Sequence, residues 1–160
     1  METNKQSTES SSLKIGLLTS AALIGYFLLM KAVGLAHIIE LRLLNFVFLG
    51  IGITYGIYQL KKSLSHEDFY LKGLGHGFMI VLFALVPFAI FMTVYLQFID
   101  PQLMAQIRES VAIREYINWM AILFVILLEG LASGAILTFA AMQYFKNEGS
   151  KSAKRLSKSH

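Results

Sequence analysis

Four stretches of this sequence are apolar on every helical face and long enough to cross a lipid bilayer. An amphipathic helix of a soluble protein alternates apolar and polar faces with a period of about 3.6 residues, whereas a helix that is apolar all round lies in lipid or in a large protein core. One domain of 160 residues has too little interior to enclose four such helices. The sequence therefore predicts four membrane spans, at about 15–33, 41–60, 74–99 and 117–145.

The overall composition favours the same interpretation. Apolar residues make up 56% of the chain and charged residues only 15%, whereas a soluble domain has about 45–50% and about 25%. The net charge of +4 resides in polar segments that flank the spans, which is typical of a membrane protein and not of a nucleic-acid-binding surface. The absence of cysteine excludes disulfides, thiolate metal sites and a cysteine nucleophile.

The polar segments divide the chain into three parts. Residues 1–12 are serine-rich, and we expect a disordered tail. Residues 13–145 form the membrane domain. Residues 146–160 carry five basic residues and one acidic residue without apolar periodicity, and we expect a second disordered tail, which is basic.

A short amphipathic helix is predicted between the third and fourth spans. Asp100 followed by Pro101 suits the N-cap and first turn of a helix, and Leu103, Ile107 and Val111 then recur at every fourth position. Such a helix lies at the membrane interface or packs on the bundle. The predicted fold is all-α: a four-helix transmembrane bundle with one short amphipathic helix before the fourth span.

Basic residues are distributed unequally between the two sides of the membrane. Four spans place both termini on one side, and that side carries ten of the 14 Lys and Arg residues. Because the basic side of a membrane protein faces the cytoplasm, we expect both termini to be cytoplasmic.

Each span contains small residues four positions apart. Helices in lipid associate by close packing, and small residues let their backbones approach. We favour packing within one bundle over a face for another copy or another protein. The pairs are Ala21 and Gly25, Gly52 and Gly56, Gly73 and Gly77, and Gly130 and Gly134.

Glu129 lies near the centre of the fourth span. A charge at that depth costs about 2.5–3.5 kcal/mol, so we expect Glu129 to face the bundle interior, to be protonated or to be paired. No Lys, Arg or His lies at comparable depth in any span, and without a cation the neutral carboxyl is favoured. The polar residues expected at the same site are Ser133, Tyr26, Thr54 and Tyr55.

The third span also contains a proline and a histidine. Pro87 removes one backbone donor, and we expect it to kink or loosen the helix as an element of its shape. His76 is expected to form hydrogen bonds near the membrane interface rather than to bind a metal. Phosphate-binding loops, zinc motifs, nucleophile elbows and paired carboxylates within one span are missing from the sequence. We therefore predict no enzyme, no cofactor and no metal site.

Several segments resemble one known family. They are LKIGLLTSAALIGYFLLM, YGIYQLKK, HEDFYLKGLGHGFMIVL, FIDP and GLASGAILTFAAMQYFKN, which together extend from Leu13 to Asn147. The chain resembles the bacterial four-helix membrane proteins of domain of unknown function 4199. The resemblance implies four helices in a bacterial inner membrane, and it implies no activity, substrate or binding residue.

Two hypotheses of function follow. The first is a non-enzymatic accessory or scaffold subunit that acts through helix packing in the lipid bilayer, with a protein partner or a second copy of the chain. The alternative is a small proton- or cation-handling transporter or channel subunit that uses Glu129. A single four-helix unit has little room for a lined pathway, so the alternative requires an oligomer.

Overall fold

The computed structural model describes residues 2–34, 43–63, 69–102, 105 and 118–156. Over these residues the regular structure is helical, without strands. Its elements are α1 (Glu2–Ala32), α2 (Leu43–Ser63), α3 (Phe69–Val94), a π-helical turn (Tyr95–Ile99) and α4 (Trp119–Leu156). Each α-helix contributes a segment long and apolar enough to cross a membrane. The predicted all-α four-helix bundle is confirmed, and it is the architecture of a multi-pass membrane protein.

The helix α3 lies at the centre of the bundle. It packs against α1, α2 and α4, and half of its most apolar stretch is buried, whereas only 11% of the corresponding stretch of α4 is buried. Ile80, Val81 and Ala84 of α3 are fully enclosed. Few residues in the most apolar stretch of α4 are therefore fully buried inside the bundle.

Contacts between helices fix their directions. Gly16 of α1 lies against Phe83 of α3, and the later residue Phe27 packs edge-on against Phe91 with the ring centroids 6.1 Å apart, so α1 runs parallel to α3. Gly73, near the beginning of α3, meets Met142, near the end of the apolar span of α4, so these helices are antiparallel. The beginning of α1 and the end of α4 consequently lie at the same end of the bundle.

Both terminal helices extend into segments that were predicted to be disordered. The helix α1 begins at Glu2, inside the expected tail 1–12, and α4 continues to Leu156, inside the expected tail 146–160. Extending an existing helix adds about one hydrogen bond per residue fixed, and neither segment contains proline. The residues of the predicted amphipathic helix, Leu103, Ile107 and Val111, lie outside the described residues.

The helix α3 stays continuous past Pro87, which lies inside it. Its hydrogen-bonding pattern changes later, in the π turn, where Asp100 N donates to Tyr95 O at 2.9 Å. In a π turn each backbone hydrogen bond spans five residues instead of the four of an α-helix. An ion pair between Lys31 and Asp100 joins the end of α1 to the end of this turn.

Candidate functional site

Glu129 lies on the outward surface of α4. Its side chain is exposed, while Gly130 beside it and Gly134 face α3. At 100° per residue, Glu129 points about 140° away from Gly134 around the helix. Of the three situations expected for this carboxyl, a position facing the interior of the bundle is therefore not the one observed. The sequence could not distinguish them, because residues on every face of the fourth span are largely apolar.

The other polar residues expected near Glu129 do not gather around it. Thr54 and Tyr55 are exposed on α2. Gly50 of α2 lies opposite Leu137 of α4, and this register sets Thr54 about 18 Å along the bundle from Glu129. Depth estimated from span boundaries alone missed this offset, because the spans differ in length.

Tyr26 and Ser133 have different surroundings from each other. Tyr26 is half-buried on α1 and packs on Phe48 of α2 with ring centroids 5.3 Å apart. Ser133 is half-buried one turn after Glu129 on α4. Of the four expected companions, Ser133 is thus the one that shares a helix and a neighbouring turn with Glu129.

Glu129 belongs to a continuous row of exposed residues, which we call the outward seam of α4. The spacing alternates between four and three residues, which is the spacing with which a helix contacts another helix in a coiled coil. The outward seam consists of Val125, Glu129, Ala132, Ile136, Phe139 and Gln143, all of them exposed.

Four of the predicted small residues hold α3 and α4 together. A Cβ atom on any of these glycines would lie 2.5–2.7 Å from the facing side chain, closer than real Cβ contacts come. The pairs are Gly73 with Met142, Gly77 with Thr138, Gly130 with Leu85 and Gly134 with Val81. Their missing side chains therefore allow the close approach of the two helices.

The small residues of α1 and α2 differ in their packing. Gly52 lies against Thr19 of α1, and Gly56 lies against Ile80 of α3. By contrast, Ala21 and Gly25 are exposed, and a Cβ added to Gly25 would meet no atom within 4 Å. This predicted pair does not pack within the bundle.

The packing position on α1 is occupied by a residue that the sequence analysis did not select. Gly16 lies against Phe83 of α3, and Ser20, four residues later, is 2% exposed. Gly16 and Ser20 have the same spacing as Ala21 and Gly25. The sequence of α1 therefore contains two pairs of small residues with the same spacing, and spacing alone could not show that Gly16 and Ser20 are the pair that packs.

A buried hydrogen bond connects α1 to α3. Ser12 Oγ lies 2.6 Å from Nδ1 of His76, and the two residues are 1% and 3% exposed. On the other side of the ring, Nε2 lies beside Gly56 of α2, 3.4 Å from where a Cβ would be. His76 is therefore enclosed by three helices and hydrogen-bonded, and Ser12 belongs to the core rather than to a tail.

An open groove runs along the surface between α2 and α4, near Tyr144 and Phe145. It has a volume of about 640 Å³ and includes Gly50, Thr54, Tyr55, Tyr58 and Tyr144 in its lining. Thr54 and Tyr55, which the sequence analysis assigned to Glu129, belong to this groove instead.

The described residues hold no cluster of three or more His, Asp or Glu side chains that could bind a metal ion. Comparison of the chain with protein-family models, curated proteins and solved structures finds no match. The arrangement therefore presents three polar features: an outward carboxyl, an enclosed serine–histidine pair and a groove with tyrosines. The first is the one that most requires a partner outside the chain.

Proposed function

We propose that this protein is a non-enzymatic accessory or scaffold subunit of a membrane complex, and that it binds a membrane helix of another protein along the outward seam of α4. The observation that carries the proposal is the exposed position of Glu129 in the middle of a membrane-spanning helix. The described part of the chain leaves this carboxyl facing the surroundings of the bundle.

The cost of that position supports a partner. A charged side chain at the centre of a membrane helix costs about 2.5–3.5 kcal/mol on insertion scales. A helix that covers the outward seam replaces lipid around Glu129 with a hydrogen-bonding or ionic partner. Ala132, one turn along the seam, is small enough to let the second backbone come close.

The chemistry of the partner follows from the charge of Glu129. A Lys or Arg at mid-depth in the partner helix would complement the carboxyl. A second copy of this chain is a poorer match, because its spans hold no Lys, Arg or His at the depth of Glu129. The occupant that we propose is therefore a different membrane protein.

The proposal is tested by measuring the mass of the native complex extracted with its surrounding lipid. For the wild-type chain we expect one assembly containing a second protein. Glu129→Leu should release the chain as a single copy, whereas Glu129→Gln should retain part of the assembly, because the amide still donates and accepts hydrogen bonds. A matched control is Leu82→Ala, which alters an exposed apolar residue on α3 and should leave the assembly intact.

Three results would contradict this function. The first is a wild-type chain that is monomeric in native lipid. The second is an assembly containing only copies of this chain. The third is an assembly that Glu129→Leu and Leu82→Ala leave equally intact.

The alternative function is proton or cation handling by Glu129. It requires a pathway between this chain and a neighbour, because Glu129 faces outward. Vesicles containing the purified assembly separate the two functions: proton or cation flux that Glu129→Gln abolishes would favour transport, and the absence of flux in the wild type would favour the accessory role.

The membrane and its orientation form part of the proposal. We propose the inner membrane of a bacterium, as the resemblance to domain of unknown function 4199 implies, with both termini in the cytoplasm. The chain has no cysteine, so single-cysteine variants such as Ser7→Cys and Ser152→Cys report on topology without background labelling. Both should resist a membrane-impermeant maleimide in intact cells and react after the cells are opened. Labelling in intact cells would show that the termini lie outside the cytoplasm and would contradict the proposed orientation.

A further inference from the structure

The groove between α2 and α4 has the dimensions of a site for one lipid chain. It follows α2 from Val47 to Tyr58, 11 steps along the helix, which is about 16 Å. One leaflet of the hydrocarbon core is about 15 Å thick, half of about 30 Å. Its volume of about 640 Å³ also lies within the range of about 300–1,000 Å³ for ligand pockets.

The chemistry of the groove changes along its length. Its deeper part is lined by Val47, Gly50 and Ile51, and the missing side chain of Gly50 leaves room against Leu137. Toward the C-terminal end of α2 it is lined by Tyr58, together with Tyr144 of α4, and these residues are 46% and 61% exposed. An apolar trough that leads to phenol hydroxyls matches an acyl chain attached to a polar headgroup.

Two lysines lie at the tyrosine end of the groove. Lys62 Nζ lies 4.4 Å from the ring centroid of Tyr58, and Lys61 Nζ lies 5.2 Å from that of Phe145. Both rings line the groove. Contacts of an ammonium group with an aromatic face hold the charge near the ring, so two positive charges are positioned at the end where a headgroup would lie.

We propose that this groove binds one anionic glycerophospholipid, with its phosphate between Lys61, Lys62 and the tyrosine hydroxyls and an acyl chain along Val47 to Thr54. Basic pockets between membrane helices bind anionic headgroups in this way. A zwitterionic lipid such as phosphatidylethanolamine brings its own ammonium group, which the two lysines repel. The site uses neither Glu129 nor the outward seam, so it stands independently of the accessory role.

Native mass spectrometry of the purified, delipidated chain tests this site, with phosphatidylglycerol and phosphatidylethanolamine of identical acyl chains as probes. We expect one phosphatidylglycerol to bind at least about tenfold more tightly than phosphatidylethanolamine. The double variant Lys61→Gln/Lys62→Gln should abolish this preference. The matched control Lys14→Gln removes one charge from α1, whose exposed Lys14 does not line the groove, and should change binding by less than about twofold.

A second variant tests the acyl-chain part of the groove. Ile51→Trp fills the trough and leaves both lysines unchanged, and Ile51 is 62% exposed, so the bundle has room for the larger side chain. We expect it to weaken phosphatidylglycerol binding by at least about threefold, at an unchanged thermal midpoint.

Three outcomes would overturn the lipid site. One is equal affinity for the two lipids, and another is an equal loss of binding in Lys14→Gln and in the double variant, which would indicate diffuse attraction. The third is complete competition by glycerol phosphate, which carries the phosphate without an acyl chain and would indicate a phosphate site instead.

Discussion

Ser12 Oγ and His76 Nδ1 are joined by a buried hydrogen bond of 2.6 Å that spans 64 positions of the chain. The bond anchors the beginning of α1 to the central helix α3, in a region from which the described helices exclude solvent. A buried polar atom that loses its partner costs about 1–3 kcal/mol. The pair therefore contributes to the stability of the bundle on the side where both ends of the chain emerge.

Ser12→Ala should lower the free energy of unfolding by about 1–2 kcal/mol, because His76 Nδ1 stays buried and loses its hydrogen bond with Ser12 Oγ. The same substitution in a His76→Phe background should cost much less, since the pair no longer exists there. Unfolding of the purified chain in mixed micelles measures both differences. Ser10→Ala is the control, because Ser10 is exposed in the same serine-rich segment. Equal effects of Ser10→Ala and Ser12→Ala on the free energy of unfolding would show that the Ser12–His76 pair does not stabilise the bundle.

Gly77→Ala should destabilise the contact between α3 and α4 by about 1–3 kcal/mol, because the new Cβ would lie 2.5 Å from Cγ2 of Thr138. Gly75→Ala is the matched control on the same helix, since no atom lies within 4 Å of its added Cβ. It should be neutral or stabilising by up to about 1 kcal/mol, the difference in helix propensity between glycine and alanine.

The double variant Gly77→Ala/Thr138→Ala provides an internal check on that contact. Removing the Thr138 side chain beyond Cβ makes space for the new methyl group, so the double variant should be more stable than Gly77→Ala alone. The thermal midpoint in detergent measures this rescue. An additive loss in the double variant would show that the two residues do not meet.

Gly25→Leu should leave the fold of the isolated chain intact, because Gly25 faces open space on α1. Gly52→Leu should prevent stable folding, because a Cβ at Gly52 already collides with the Thr19 hydroxyl, which is itself bonded to Ile15 O at 2.8 Å. Circular dichroism and size-exclusion chromatography of the two variants in detergent make the comparison. A Gly25→Leu chain that aggregates while Gly52→Leu folds would reverse the assignment of the two faces of α1.

Lys31→Gln should lower the stability of the π turn by about 1 kcal/mol. The ion pair is partly buried, with Asp100 14% exposed and Lys31 37% exposed, and solvent at Lys31 weakens it. The expected sign is faster hydrogen exchange of the π-turn amides, Asp100 N in particular. The exchanged pair Lys31→Asp/Asp100→Lys should recover part of the protection, whereas Lys14→Gln should leave it unchanged. Equal exchange in wild type and Lys31→Gln would mean that the pair does not order the turn.

Hydropathy allowed the four helices to be predicted, while their ends and their packing were predicted less well. The spans at 41–60 and 74–99 overlap α2 and α3 closely, because leaving water depends on the local run of apolar side chains. Disordered tails were expected at 1–12 and 146–160, but α1 and α4 extend into both segments. Low hydrophobicity predicts only that a segment cannot form a core of its own, and these segments extend helices that already exist. Ser12 shows what local hydrophobicity cannot predict. It lies in a serine-rich run, yet it is buried and hydrogen-bonded to His76, which is 64 positions away in the sequence.

The sequence by itself determined that the chain is an all-α bundle with four helices able to cross a membrane. Only the tertiary structure decided which face of each helix points inward: Gly16 packs and Gly25 does not, His76 is enclosed, and Glu129 faces outward. The physical reason is that lipid is as apolar as leucine. A membrane helix therefore carries no polar face to mark its outer side, and its orientation is set by the fit of side chains against neighbouring helices.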